Sequence, residues 1–578
     1  MKLDLSRVVR LLRSLAVRAG QATFRFPAAA VAICAIAAIA NWAVAEDLDT
    51  GDPLARALLA LTAGAAASVA ATLFAESRGA GLGRARLAGF AGLAVVGAAV
   101  GFAHPFLLHG PALTIAIVTA LPLSPFLGRG SSRTFWYFTL WTALGVTLGW
   151  FSVLIFLLGF TAIFEMVRTL FGIGLGSSAY THLFTTGLTL VGPLFALGRI
   201  PHPGEAEAHD GASERLARAV RPLFEWVTAP LVLIAGVIIH VYGAKIVATG
   251  EVPTNEIGWI VLLYSAFVLS LRVGLEPYLA DLPQPARFFS RFWAAMLVVP
   301  LALFAYALTL RIAGEGWTIE RYFTVAYGVA AGLAVLLQAI PRTRSDIRLV
   351  VAVPPVLLVL STVSPWGVAD TVGRSQAALI DERYGEVLRR GPDATRSLDG
   401  TARYSLVSRL DVLDQVDEVD RLAPVLHAIG TGAPESRVAA LRTVLGEGAT
   451  LEAQALQDRD ASFAVDQPWE IGGFDRILPA TDASAWADAA TAPVRLEDGR
   501  MVVSYRGRTD RFELAPSLSP PNADGSAGIL PMLSLDLRSP EGRNVRLRLS
   551  HVRWNAQGAP VFLQGWLALR HGEWASQP

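Results

Sequence analysis

Eleven apolar runs, each close to the length that a helix needs to cross a bilayer, crowd into residues 27–365. A hydrocarbon core takes about 20 consecutive apolar residues in helical form. Such runs lie near 27–45, 54–75, 87–108, 111–127, 135–160, 180–199, 224–247, 257–273, 291–311, 321–340 and 348–365. In lipid no water satisfies a backbone N–H or C=O, so each run must close its own hydrogen bonds, and a helix does so. The third and fourth runs are separated only by His109 and Gly110. Composition agrees with this reading. The chain is 53% hydrophobic and 17% charged, where soluble domains carry nearer a quarter charged residues. The deficit is confined to the first part, and residues 370–578 have an ordinary soluble composition. The predicted fold class is a polytopic α-helical membrane protein of about eleven transmembrane helices with a C-terminal extracytoplasmic α+β domain. Its expected parts are a basic cytoplasmic segment (1–26), a transmembrane bundle (27–365), an extracytoplasmic helical region (366–460) and an extracytoplasmic β-rich region (461–578).

Charge sets the expected direction. Lys and Arg concentrate in cytoplasmic loops of membrane proteins. One set of loops holds Lys2 and Arg7 to Arg25, then Arg78, Arg84, Arg86, Arg129, Arg133, Arg199, Arg215, Arg218, Arg221, Arg272, Arg287, Arg291, Arg342, Arg344 and Arg348. The opposite set holds roughly four, Arg168, Lys245, Arg311 and Arg321. That bias of about five to one places the N-terminus in the cytoplasm, and eleven crossings then place the C-terminal domain outside, as expected for a bacterial inner-membrane protein. A competing reading takes Ala43-Val44-Ala45 before Glu46 as a signal-peptidase site, although the apolar run is long for a signal peptide. The single cysteine, Cys34, lies in the first run, so no intramolecular disulfide is available.

Beyond Asp370, helices are predicted at about 372–392, 405–429 and 434–457. Val412, Val416, Val419, Leu422 and Leu426 recur at helical spacing. Asp411, Asp414, Asp417, Glu418 and Asp420 fall opposite them, either as a solvated face or as ligands for a hard cation. From about 490 the period becomes two. Leu533, Leu535 and Leu537 alternate with polar residues, as do Val545, Leu547 and Leu549, which predicts a small antiparallel sheet with one buried face. Turns are expected at Asp498-Gly499 and between Asn555 and Gly558.

Little in the chain announces chemistry. There is no phosphate loop, nucleophile elbow, paired-cysteine site or His-Glu-x-x-His, and the nine histidines are scattered. No cofactor or metal is expected. The near-neutral charge excludes nucleic acid as a partner. Gly172, Gly174 and Gly176 read as a flexible outer loop rather than a nucleotide site. Ionisable residues at membrane depth are the better candidates, because burying them costs a few kcal/mol or more. Glu165 and Arg168 stand three apart and share a helix face. His240, Tyr242 and Lys245 lie on the seventh run, and Glu225 opens it. Each also has a bland reading, as a structural ion pair or a side chain snorkelling to the interface. The Gly-x-x-x-Gly pairs Gly97/Gly101, Gly145/Gly149 and Gly328/Gly332 serve either bundle packing or a dimer face.

Several stretches in combination resemble a bacterial membrane family known as the domain of unknown function 4153. They are Pro230 to Ile246 with Tyr242 and Lys245; Gly250 to Pro253; Tyr306 to Ile312 with Arg311; Gly316-Trp317-Thr318 with Arg321 and Tyr322; and Ser364 to Asp370 followed by Arg374, Ser375 and Gln376. The resemblance implies a polytopic inner-membrane protein and supplies no activity or cofactor. It implies that Tyr242, Lys245, Arg311, Thr318 and Arg321 belong to shared motifs that could form one extracytoplasmic surface.

The leading expectation is non-enzymatic: a bundle that moves, senses or organises an envelope component, with the outer domain as interaction module. Its partners would be the lipid bilayer and an envelope protein or lipid-linked molecule; the sequence leaves the oligomeric state open. The alternatives are an enzyme acting on a lipid-linked substrate at the outer face, with Glu165, Lys245, Arg311 and Arg321 lining a cleft, and a scaffold. Helix breaks at Gly192-Pro193 and Pro354-Pro355 would favour transport.

Overall fold

The structure, a computed structural model, describes residues 20, 22–48, 51–172, 176–202, 210–249, 257–344, 346–398, 400–429, 432–445, 459–463, 469–481, 494–497, 500–514, 518, 532–554 and 560–574. The chain divides into two compact units, Met1–Leu379 with Val412–Arg421, and Ile380–Asp411 with Leu422–Pro578.

The first unit is helical. Its elements are α1 (Pro27–Ala45), α2 (Asp52–Ser77), α3 (Leu82–Gly101), α4 (Phe106–Ala120), α5 (Ser132–Phe171), α6 (Ser177–Thr186), α7 (Gly192–Leu197), α8 (Asp210–Pro222), α9 (Ala229–Thr249), α10 (Ile257–Gly274), α11 (Gln284–Glu315), α12 (Ile319–Ala339) and α13 (Ile347–Leu360). Among the described residues eight helical stretches are long and apolar enough to cross a membrane: α1 to α5, the stretch through α8 and α9, α11 and α12. α10 and α13 are apolar but shorter. The run at 180–199 is not one regular helix, because a π-helical turn, Gly187–Val191, separates α6 from α7. α13 continues through Pro354 and Pro355. The third and fourth runs meet elsewhere than expected. α3 ends at Gly101 and Pro105 caps α4, so His109 and Gly110 lie inside α4. Proline suits a helix start because it has no N–H to leave unsatisfied there.

Small residues decide the closest packing. A Cβ on Gly92 would stand 2.8 Å from the Ala67 carbonyl oxygen, and one on Gly97 3.4 Å from that of Ala60. The glycines of α3 therefore bring its backbone against α2, which is the packing reading of Gly97/Gly101. Gly145 and Gly149 likewise face the Arg199 and Ala196 backbone, and Gly328 faces the Phe304 ring. A continuous core of Phe26, Phe135, Phe138, Leu271, Phe289 and Leu297 fills the bundle.

At one end of the bundle, arginines hold carbonyls that helix ends leave open. Arg25 pairs with Glu76 at 2.6 Å and donates to the Ile200 carbonyl at 2.8 Å. Arg348 pairs with Asp346 at 2.7 Å and donates to the carbonyls of Phe126 at 3.3 Å and Gly130 at 3.0 Å. The Arg348 guanidinium holds the Asp346 carboxyl below the usual carboxylate range. Buried Arg272 pairs with the partly buried Glu276 at 2.7 Å.

The second unit contains α14 from Ile380 onward (α14 is Val368–Arg390), α15 (Pro392–Arg396), most of α16 (Gly400–Gln415), α17 (Pro434–Leu445) and two antiparallel sheets. The helix expected at 405–429 stops at Gln415. Asp417 takes a left-handed φ of 57°, which an aspartate tolerates, and a 3-10 turn follows at Val419–Leu422. The acidic residues do not gather: Asp411 pairs with Arg442, Glu418 with Arg421 and Asp417 with His104. Strands β1 (Arg459–Ser462), β2 (Arg476–Thr481), β6 (Leu533–Arg538), β7 (Asn544–Trp554) and β8 (Pro560–Leu569) form one sheet in the order β1-β7-β8-β2, with β6 also paired to β7. β3 (Val494–Glu497), β4 (Arg500–Tyr505) and β5 (Arg508–Glu513) form the other. The predicted alternation holds: Val545, Leu547 and Leu549 are buried. An irregularity between Leu549 and His551 then shifts the inward phase to Val552 and Trp554. The turn residues Asp498-Gly499 and Asn555–Gly558 lie outside the described residues, though the strands flanking each are paired.

Candidate functional site

The α11–α12 turn is the centre of a polar cluster at the end of the bundle opposite Arg25 and Arg348. Gly316 closes α11 with a φ of 77° and ψ of −173°, a conformation open to glycine almost alone. A Cβ there would stand 2.4 Å from the Leu379 side chain and 2.8 Å from the Ser375 hydroxyl. Thr318 caps α12: its hydroxyl accepts from the Arg321 N–H at 3.4 Å. The Arg321 guanidinium turns back and donates to the Gly316 carbonyl at 2.8 Å. The start of α14 fastens onto this turn. The Trp317 N–H donates to the Ser375 hydroxyl at 3.0 Å, and buried Gln376 donates to the Trp317 carbonyl at 2.6 Å. The Tyr322 hydroxyl donates to the Trp366 carbonyl at 2.9 Å.

Two further segments complete the cluster. In 412–421, Arg421 pairs with Asp370 at 2.9 Å and with Glu418 at 2.5 Å. At the α3–α4 corner, Arg56 of α2 donates to the Gly101 and Ala103 carbonyls at 3.2 and 3.0 Å, and its guanidinium lies 4.3 Å from the Phe106 ring centre. Leu108, Val368, Ala369, Val372 and Val416 form the apolar floor. His109 is buried, within electrostatic reach of His104 and Asp370, and its Nε2 has no hydrogen-bond partner among the described residues. A cavity of about 520 Å³ opens beside Trp317, walled by Leu308, Ile312, Gly328 and Gly332. Gly332 has nothing within 4 Å of where a Cβ would be, which keeps that wall open. The cluster can therefore hold a shape and border an apolar ligand. It also presents one buried imidazole nitrogen with lone-pair or proton capacity to spare. No group of three or more His, Cys, Asp or Glu placed to hold a metal ion occurs among the described residues.

The stretches that meet here, Gly316 to Tyr322 and Ser364 to Gln376, lie inside a longer match. A family model described as a domain of unknown function (DUF4153) matches residues 28–399. The chain belongs to that family. Comparison with curated proteins and with solved structures found no match. The DUF4153 match covers the whole helical bundle and ends before the sheets.

The other candidate residues lie on α5, α9 and α11 and just before α9. Arg311 is half-buried in the last turns of α11. Tyr242 packs with Ile246, Phe304, Leu308 and Ile312, so the end of α9 abuts α11. Lys245 is exposed on α9, and Gly250–Pro253 lies outside the described residues. His240 donates from Nδ1 to the Gly236 carbonyl of its own helix at 2.7 Å. Glu165 and Arg168 stand apart from this cluster. They are 3.5 Å from each other, with side chains 48% and 63% exposed, and Glu165 also accepts from the Tyr180 hydroxyl at 3.0 Å. Glu225 is buried and paired with Arg221 at 2.7 Å. Neither run nor motif singles out Arg56, Gln376 as a backbone clamp, or the polar contact of Asn41 with His182 at 2.9 Å and Thr186 at 3.2 Å. Asn41 and His182 each interrupt an apolar run, and that interruption was the available signal.

Proposed function

We propose that this chain is a multi-pass protein of the bacterial inner membrane that binds and organises an envelope component without turning it over. The helices would cross eleven times, with α6 and α7 together counting as one crossing. The N-terminus would be cytoplasmic and the C-terminal part extracytoplasmic, as a module for an envelope protein or a lipid-linked partner. The observation that carries this reading is the use of the motif side chains: Thr318, Arg321, Ser375 and Gln376 all bond to the chain's own backbone. Groups so engaged hold a binding surface in shape, and the cavity beside Trp317 gives that surface an apolar recess. The test is to purify the full chain in mild detergent and identify retained lipids and proteins. A Trp317→Ala, Gly332→Leu variant that still folds should lose the retained component. Equal retention by wild type and variant would remove the recess from the reading. A second reading, turnover of a lipid-linked substrate at this end, draws on His109, whose buried Nε2 is unpartnered. It requires His109→Gln to abolish a measurable conversion while the retained component stays bound.

A further inference from the structure

An apolar groove of about 710 Å³ runs between α2, α3, α4 and α13. Ala71, Ala88, Gly92, Ala99 and Pro355 are among its walls. The small residues that bring α2 against α3 leave few side chains long enough to fill the space beside them. From Ala88 to Val100 the α3 wall rises about 18 Å at 1.5 Å per residue, comparable with one leaflet of a core about 30 Å thick. One end of the groove is basic. Phe74 and Leu127 both line it, and Arg78 rests on the two, its guanidinium 4.9 Å from the Phe74 ring centre and donating to the Leu127 carbonyl at 2.8 Å. Arg129 lies beside it, donating to the Ser77 carbonyl at 3.0 Å. Both arginines are exposed. A guanidinium has five N–H donors in a planar fork, so each retains donors for an anionic oxygen.

We infer that this groove is a site for an anionic phospholipid of the bilayer, with one acyl chain along the small-residue walls and the phosphate against Arg78 and Arg129. Lipid tails are as apolar as the groove, so the walls alone give no preference among lipids. Preference comes from the basic end, where basic pockets between membrane helices attract anionic headgroups. This does not depend on the proposed function, because it concerns the opposite end of the bundle.

The test uses the full-length protein in a neutral detergent, titrated with phosphatidylglycerol or with phosphatidylcholine of the same chains and read by native mass spectrometry and by thermal unfolding. The wild type should bind phosphatidylglycerol saturably and at least fivefold more tightly than phosphatidylcholine. Arg78→Gln with Arg129→Gln should reduce that preference to near one. Arg78→Lys, which keeps the charge, should retain most of it. If the glutamine variant fails to fold, Ala88→Phe with Ala99→Phe carries the test: it disturbs no side-chain hydrogen bond and should weaken both lipids. Equal affinity for the two lipids in the wild type would overturn the inference. So would undiminished preference in the glutamine variant, unchanged binding in the filled-groove variant, or a dimer that occupies the groove and is insensitive to lipid.

Discussion

Asp510 offers the sharpest test of how the C-terminal sheets are joined. It lies in β5 on the same inward face as Phe512, so a carboxylate points into an apolar layer. Arg543, just before β7 of the other sheet, meets it with two hydrogen bonds, Nε to Oδ2 at 2.7 Å and Nη2 to Oδ1. The Asp510 side chain is fully buried and that of Arg543 is 15% exposed. Burial pushes the Asp510 carboxyl up. Hydrogen bonds from Arg543 and Ser539 outweigh that, and its pKa lies below the ordinary 3.8. Removing one member of a buried pair strands the other and typically costs about 3–5 kcal/mol. At about 1.4 kcal/mol per decade, Asp510→Asn should raise the local opening of β5 and β7 by roughly a hundred-fold to a few thousand-fold. Hydrogen exchange of the full chain in detergent, read on peptides covering those strands, measures this directly. Asp510→Asn with Arg543→Met should cost less than Asp510→Asn alone. A depressed folded-state pKa means that the stabilisation is complete above the unfolded value and is lost as the pH falls through the folded one. Wild-type β5 should therefore loosen only in strong acid, a sensitivity that Asp510→Asn removes. Exchange within tenfold of wild type in the single variant, or additive effects in the double, would refute the reasoning.

Gly316→Ala should lower the melting temperature by several degrees, since it adds about 1–3 kcal/mol of backbone strain and a methyl where Leu379 and Ser375 already stand; an unchanged melting temperature would mean that the turn is not held as described. Glu165 and Arg168 should show a coupling of only about 0–1 kcal/mol in a double-mutant cycle in detergent, because both side chains are well exposed; a coupling of several kcal/mol would place them in a far drier setting. A periplasm-dependent reporter fused after Pro578 should be active, and activity of a cytoplasm-dependent reporter there would reverse the proposed topology.

What was legible in the sequence is what depends on period and composition. The apolar runs fall mostly on helices, eight stretches of which are long and apolar enough to cross a membrane among the described residues, and the alternation of Leu533 to Leu537 and Val545 to Leu549 is found in β6 and β7. Hydropathy is blind to where backbone bonding breaks, so it sets the corner at Phe102–Pro105 several residues too late and runs straight through the π-helical turn at Gly187–Val191. Of the residues that meet at the α11–α12 turn, the sequence names Thr318 and Arg321 but not their geometry. Thr318 before Ile319 and Glu320 carries a visible helix-start pattern. Arg321 folding back on Gly316, or Gln376 reaching Trp317 from 59 positions away, depends on packing that no local pattern encodes.

The arginines at the Arg25 and Arg348 end combine two properties that chemistry separates. Charge bias across a membrane counts lysine and arginine alike. Gripping several carbonyls and a carboxylate at once needs a rigid fork, and only arginine has one. Exchanging Arg348 for lysine would be silent to whatever orients the nascent chain, while releasing the loops at Phe126 and Gly130 that the guanidinium holds together. A chain carrying lysines there would keep its charge and lose the grip that ties those loops together at one end of its bundle.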